Sequence, residues 1–472
     1  MSHTTTKYRA DIDGLRAIAI LSVVVFHAFP SVLTGGFVGV DIFFVISGFL
    51  ITSILVNSLE RDKFTFFDFY CRRIKRIFPA LLIVLLSILL YGWFFLLGDD
   101  YCHLGKNVAG GAGFISNYLL WRESGYFDTA SVSKPLLHLW SLAIEEQFYI
   151  FWPFLLWLVH RRRLNLVKLI VIVGLISFTL SIAKIHTDKI AAFYSPQTRF
   201  WELMAGACLA CITLNEHRYI NIKKWIDPNA QSFIGVMLLA ISIYVINENK
   251  MFPGTWATLP VLGTVLIISA GQQAFLNRNF FSNRILVWIG LISYPLYLWH
   301  WPLLSLAHIS IENTPSITIR IAIIFLSVIL AWLTYKLIET PLKAKNIVFP
   351  LVFAMILGGA IGFVIYDKNG FPNRFQGLES IDVAGNEFGH DWKMHTCFLQ
   401  LDQGDKLFPD RNLCIEKRKH NIFLWGDSFA AALYPGLNFL ERSKGFGVAY
   451  FAANSCPPLL GWNNPSRAFL KK

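Results

Sequence analysis

The sequence predicts an α-helical polytopic membrane protein followed by the opening segment of an α/β domain. Of its 472 residues 55% are hydrophobic and only 15% charged, with a mean hydropathy of +0.50. That is too apolar for a soluble globular chain. Apolar runs of about 20 residues recur along it, the length needed to cross a bilayer core of roughly 30 Å. One stretch breaks the pattern: "NIFLWGDSFAAALYPGL", residues 421–437, reads as a strand running through Gly-Asp-Ser into a helix.

Eleven spans are predicted, near 15–33, 36–57, 77–97, 138–159, 166–185, 195–213, 230–247, 255–272, 286–306, 318–338 and 347–366. The first lacks a small-residue cleavage site and reads as an anchor. Alternate connections, such as "ERDKFTFFDFYCRRIKR", "HRRRLN" and "YKLIETPLKAK", are rich in Lys and Arg. The connections between them are not. The positive-inside rule then places the N-terminus in the cytoplasm and everything after Tyr366 outside. The net charge of +12 is accounted for by those loops, so nucleic acid is not an expected partner, and membrane lipid is. Residues 98–134 read as a long outer loop, 367–420 as a linker or irregular extension, and 421–472 as the start of an α/β domain too small to bury an adequate core in isolation.

Charges at bilayer depth cost about 2.5–3.5 kcal/mol each on insertion scales, so each needs a reason. Arg16 and His27 share the first helix, about three turns or 16 Å apart. Arg72 and Arg76 are stacked at i and i+4 where the third helix opens, a spacing that suits phosphate oxygens as well as ordinary anchoring. In "KPLLHLWSLAIEEQFYIFWP", His138, Ser141 and Glu145 fall on one face, and Glu146 adds a second carboxylate. Arg199 and Glu202 are three apart and suit an internal ion pair, and His300 lies in the ninth span. The inferred topology sorts these groups into two layers. Arg16, Arg72, Arg76 and Glu339 lie inward; His27, Glu145, Glu146, Arg199, Glu202 and His300 lie outward. That layout suits a phosphorylated cytoplasmic donor reaching across to an outer acceptor.

Cysteine adds little. Cys208 and Cys211 have CxxC spacing on an apolar helix without a second ligand pair, which reads as packing, and no metal is expected. Cys397, Cys414 and Cys456 allow one disulfide in an outer tail, the pairing left open.

Several strings together resemble the acyltransferase-3 membrane family: "DGLRAIAILSVVVFH", "GFVGVDIFFVISGFLIT", "RRIKRIFPALL", "HLWSLAIEEQFYIFWP", "TRFWELMAGA", "SYPLYLWHWPL" and "YKLIETPLK", in order over residues 8–345. The resemblance implies a roughly ten-helix bundle in 1–345 and an eleventh, linking helix in 346–366. It also implies transfer of an acyl group, usually acetyl from acetyl-CoA, to a sugar hydroxyl outside the inner (cytoplasmic) membrane of a bacterium. Candidate acceptors are lipopolysaccharide, O-antigen, peptidoglycan or another envelope glycan. The family's functional positions carry over to Arg16, His27, Arg72, Arg76 and Glu145, with Arg199, Glu202 and His300 also on family motifs. His27 is then expected as general base, with Glu145 orienting it or stabilising its charged form. Arg72 and Arg76 are expected to hold the coenzyme A phosphates, Arg16 to help line the coenzyme's path, and Arg73 to serve only as an anchor. Glu146 is expected to be catalytic with His27 and Glu145, and His138 and Ser141 to support the membrane site. A transporter or flippase is the competing reading.

"IFLWGDSFAA" resembles the first block of SGNH hydrolases, which implies Ser428 as nucleophile, placed by Asp427 and the turn. That family supplies the base from a later Asp-x-x-His, and no Asp or His follows Ser428 in this sequence. The segment therefore reads as an incomplete SGNH-type domain; Asn454 is a poor match to the family's block Asn.

Overall fold

The computed structural model describes residues 8–123, 131–214, 227–311, 314–375, 392–393, 396–399, 411–415, 418 and 420–453. The chain forms two compact units, 1–370 and 371–472. The first is helical: α1 (Ala10–Ala28), α2 (Gly39–Glu60), α3 (Phe66–Phe95), α4 (Gly98–Ala112), α5 (Ser116–Glu123), α6 (Leu139–Arg161), α7 (Leu166–Thr187), α8 (Lys189–Tyr194), α9 (Pro196–Leu214), α10 (Pro228–Val245), α11 (Thr258–Ala270), α12 (Arg284–Leu291), α13 (Ser293–Ile311), α14 (Ile317–Thr334), α15 (Thr340–Lys343) and α16 (Val348–Asp367).

Seven helices among the described residues are long and apolar enough to cross a membrane: α2, α3, α6, α7, α10, the run from α14 to α15, and α16. The other predicted spans coincide with α1, α9, α11 and α13. Of these, α1 and α9 carry buried charges, and α11 has only 13 residues.

Local chemistry explains where the helix bounds depart from expectation. Helix α3 starts eleven residues before the predicted 77, because Thr65 caps it and accepts a hydrogen bond from the Asp68 amide at 3.1 Å. All the arginines of "RRIKR" therefore sit on one continuous helix. The predicted span 286–306 is broken at Ile292, where Pro295 lacks the N–H that would bond back to Leu291. The span 318–338 ends in a π-turn over Tyr335–Glu339, just before Pro341. The described residues of the expected outer loop 98–134 are largely helical. Helix α4 runs antiparallel to α16: Gly98 lies against Gly370, Gly105 against Gly362, and Ala112 against Gly359.

Helices α2 and α9 cross in close contact. A Cβ on Gly48 would stand 2.0 Å from the Leu203 carbonyl oxygen, and one on Gly206 2.0 Å from that of Val45. This reciprocal glycine contact lets the two backbones touch. It also places Asp41 of α2 beside Arg199 of α9.

The second unit is a parallel sheet in the order β1 (Phe398–Leu399), β3 (Gly447–Ala453), β2 (Asn421–Gly426), with α17 (Ser428–Lys444) as the crossover. The predicted strand–GDS–helix order is present. The expected linker 367–420 needs correction. Phe398 and Leu399 pair with β3 on the side away from β2, and Cys397 and Cys414 are disulfide-bonded inside the same apolar core as Ala431, Tyr434 and Tyr450. Cys456 and Asn454 lie outside the described residues.

Candidate active site

Three adjoining cavities run through the helical unit. An arginine cavity of about 370 Å³ is lined by Arg16, Arg72, Lys75, Arg76, Tyr294, Glu339 and Lys343. A narrow central cavity of about 90 Å³ shares Arg16, Arg76 and Tyr294 with it and adds Ser47, Arg73, Glu145, Glu146 and Tyr149. The central cavity shares Val40 and Tyr297 with a histidine cavity of about 390 Å³, where His27, His138, Trp140, Arg199 and Trp301 line the wall. Helix α1 connects the two ends, since Arg16 and His27 are about 16 Å apart along its axis.

At the arginine end, Arg16 Nη1 lies 3.3 Å from Asp13, which also accepts from the Tyr8 hydroxyl at 2.7 Å. Burial, with Asp13 next, pushes the Tyr8 phenol up to about 12, so it remains a neutral donor. Lys343 Nζ stands 3.9 Å from Glu339 in the π-turn. The cations at this end outnumber the carboxylates, which suits a polyanion.

Arg73 corrects the expectation of a mere anchor, because it enters the central cavity while Arg72 is exposed and reaches only the arginine cavity. The expected link between Glu145 and His27 is also corrected. The Ser47 and Tyr149 hydroxyls both donate to the Glu145 carboxylate, which faces the central cavity. Glu146 is buried beside it, with Oε1 unpartnered.

His27 is oriented by His300 instead. Its Nδ1 lies 2.9 Å from His300 Nε2, and the two rings stack with their planes 7° apart. His300 Nδ1 is 2.8 Å from the Tyr297 carbonyl and 3.1 Å from that of Leu296. A carbonyl can only accept, so His300 Nδ1 carries the proton and its neutral Nε2 is an acceptor. His27 Nδ1 must then donate, which leaves the His27 Nε2 lone pair free. Trp301 packs edge-on against His27 at 4.5 Å and donates its indole N–H to the Lys134 carbonyl at 2.8 Å.

The expected ion pair of Arg199 and Glu202 is present at 3.0 Å, and Asp41 joins it at 3.1 Å. All three are fully buried. The guanidinium is surrounded by the rings of Phe44, Trp140, Phe193 and Phe252, with centroids 5.5–5.9 Å away. Sequence reasoning passed over Asp41, although an Asp inside "GVDIFFVISGF" is as costly at bilayer depth as the charges it selected. Ser47 and Tyr149 carried no signal of their own. Ser141 Oγ donates to the Tyr297 hydroxyl at 2.6 Å, and that hydroxyl donates to the His138 carbonyl at 2.8 Å.

In the second unit, Ser428 begins α17 directly after the turn that follows β2, and Asp427 caps the helix by accepting from the Phe429 amide at 3.0 Å. Gly426 has no room for a Cβ, which would lie 2.8 Å from that of Ala430.

Residues 9–336 match the acyltransferase domain family, and residues 396–471 match the SGNH domain fused to such domains. The peptidoglycan O-acetyltransferase OatA of Listeria monocytogenes is 32% identical over 391 residues, covering 79% of this chain and 58% of that protein. A putative O-acetyltransferase of Staphylococcus aureus is 35% identical over 356 residues (72% of this chain, 58% of that protein). The putative peptidoglycan O-acetyltransferase YrhL of Bacillus subtilis is 33% identical over 363 residues (73% and 57%). The chain thus spans less than two thirds of the length of these relatives. No solved structure matches it.

Proposed function

The chain belongs to the acyltransferase family, and from that premise we propose that its helical unit transfers an acetyl group from cytoplasmic acetyl-CoA to a hydroxyl of an envelope glycan on the far side of the membrane. The observation that carries this reading is the row of three adjoining cavities, cationic at one end and histidine-lined at the other. The relatives' names make peptidoglycan the first acceptor to test, with lipopolysaccharide and O-antigen as further envelope glycans.

In this reading Arg16, Arg72 and Arg76, with Lys75 and Lys343, hold the coenzyme phosphates, and guanidinium forks suit phosphate oxygens bidentately. The narrow central cavity admits the extended thioester arm past Arg73 and Glu145. At the far end the His27 lone pair takes the proton of the acceptor hydroxyl as its oxygen attacks the thioester carbonyl. A C–O bond forms, the C–S bond breaks, and the leaving thiolate takes the proton back from His27. Neutral imidazole is well matched to this duty near pH 7. The N-terminus and the basic connections lie in the cytoplasm, and the SGNH-type unit lies outside.

Acetyl transfer by membranes carrying this chain, beside a His27→Ala control, tests the reading. Acetyl ester on the glycan that depends on both the chain and His27 supports it. Transfer undiminished in the control contradicts it.

A further inference from the structure

His138 is left unanswered by the protein around it. Its side chain is buried, the residue being only 2% exposed, and it lines the histidine cavity. The Leu298 carbonyl lies near and can accept from one ring nitrogen, but no donor meets the other. Its backbone is held, because the His138 carbonyl accepts from the Tyr297 hydroxyl at 2.8 Å, and that hydroxyl in turn accepts from Ser141 Oγ at 2.6 Å. The ring packs 5.2 Å from that of Tyr297 and 5.9 Å from that of His300. A buried polar group without a partner is costly and calls for an explanation.

The chemistry of imidazole narrows what that partner is. A neutral histidine has one N–H and one lone pair. A carbonyl such as Leu298 can take the N–H, but it cannot fill the lone pair. Only a donor can, and a donor entering the cavity as an alcohol does so. The walls suit a sugar: Trp140, Tyr194 and Trp301 line it with aromatic side chains, and Glu248 and Lys250 add charged groups. The volume of about 390 Å³ falls in the range of small-molecule sites.

We infer that the histidine cavity seats the acyl acceptor, a sugar, and that His138 binds one of its hydroxyls while His27 activates the hydroxyl that attacks. This rests on the transferase reading above. It divides the labour between two histidines, with His27 for proton removal and His138 for holding the acceptor. Loss of His138 then weakens acceptor binding and leaves the donor side intact.

The test uses the full chain in proteoliposomes, with acetyl-CoA as donor and soluble peptidoglycan glycan fragments as acceptor. Wild type, His138→Ala, His138→Gln and His27→Ala are compared for KM of each substrate and for the slower release of coenzyme thiol without acceptor, where water stands in for the attacking hydroxyl. The expected result for His138→Ala is an acceptor KM raised about tenfold or more, with donor KM and acceptor-free thiol release within about twofold of wild type. Gln, whose amide oxygen can accept a hydroxyl proton, recovers most of the loss. An unchanged acceptor KM in His138→Ala, or equal losses on the donor and acceptor sides, overturns the assignment. Thiol release by wild type without transfer to glycan overturns the choice of a sugar for this cavity. A wild-type protein that neither releases thiol nor transfers acetyl sinks the transferase reading itself, and this inference with it.

Discussion

His27 and His300, 273 residues apart in sequence, meet with Nδ1 and Nε2 2.9 Å apart. Because the Tyr297 and Leu296 carbonyls fix the proton on His300 Nδ1, the contact also fixes which nitrogen of His27 is free. Replacing His300 by Ala removes the acceptor for the His27 N–H. Loss of a buried hydrogen bond costs about 1–3 kcal/mol, so kcat falls about tenfold or more while donor KM changes little. His300→Gln, with an amide oxygen to accept from His27, restores part of the rate. Equal rates for Ala and Gln would argue against control of the tautomer.

The arginines divide by position. Arg76 lines both the arginine and the central cavity, whereas Arg72 is exposed and lines only the former. Arg76→Ala therefore raises acetyl-CoA KM more than Arg72→Ala does. The larger effect is about 10- to 100-fold, as expected for one charge-assisted hydrogen bond of about 1.5–3 kcal/mol. Raising ionic strength reduces the contribution of exposed Arg72 more than that of Arg76. Donor titrations at two salt concentrations check both statements, and the reverse order contradicts them.

Arg199 tests the crossing of α2 and α9. The glycine contact at Gly48 and Gly206 brings Asp41 and Glu202 onto one guanidinium in a cage of aromatic rings. Arg199→Ala leaves two carboxylates buried without a cation, a loss of about 3–5 kcal/mol for breaking a buried pair. Arg199→Lys keeps the charge but not the fork and recovers only part. Thermal unfolding of detergent-solubilised protein measures this, and an unshifted midpoint in Arg199→Ala would show that the triad contributes no stability.

Cys397 and Cys414 are joined across a separation of 17 residues. Closing a loop of that size stabilises a fold by about 3 kcal/mol in the chain-entropy account. Peptide mapping without reduction is expected to recover the two cysteines as one cross-linked pair. Both becoming alkylated without reductant contradicts the pairing. Cys397→Ala together with Cys414→Ala is expected to increase proteolysis of the sheet unit.

Much of this was legible in the sequence because membrane helices announce themselves by length and hydropathy, and charges within them stand out. Arg16, His27, Arg76 and Glu145 were found in that way, and all four line the cavities. What was missed depends on which helix faces which. Neighbouring Arg72 and Arg73 cannot be told apart by type, yet α3 turns one to the exterior and the other into the central cavity. The sequence does not show that α2 supplies Ser47 to Glu145 while α13 supplies His300 to His27. The α4 segment read as a loop because Gly, Asp and Lys lower its hydropathy. Those same glycines let it pack against α16. Strand β1 was passed over because two residues carry no periodic signal.

Sidedness is the most direct test of the whole account. Sealed vesicles of one orientation, supplied with labelled acetyl-CoA only on the side of the arginine cavity and with glycan fragments only on the other, report whether acetyl crosses through this chain. The expected result is labelled ester on the glycan with the wild-type chain and at least a hundredfold less with His27→Ala, as for loss of a general base. Transfer that proceeds equally well with donor and acceptor on the same side, or that survives the loss of His27, would contradict the path from Arg16 to His27.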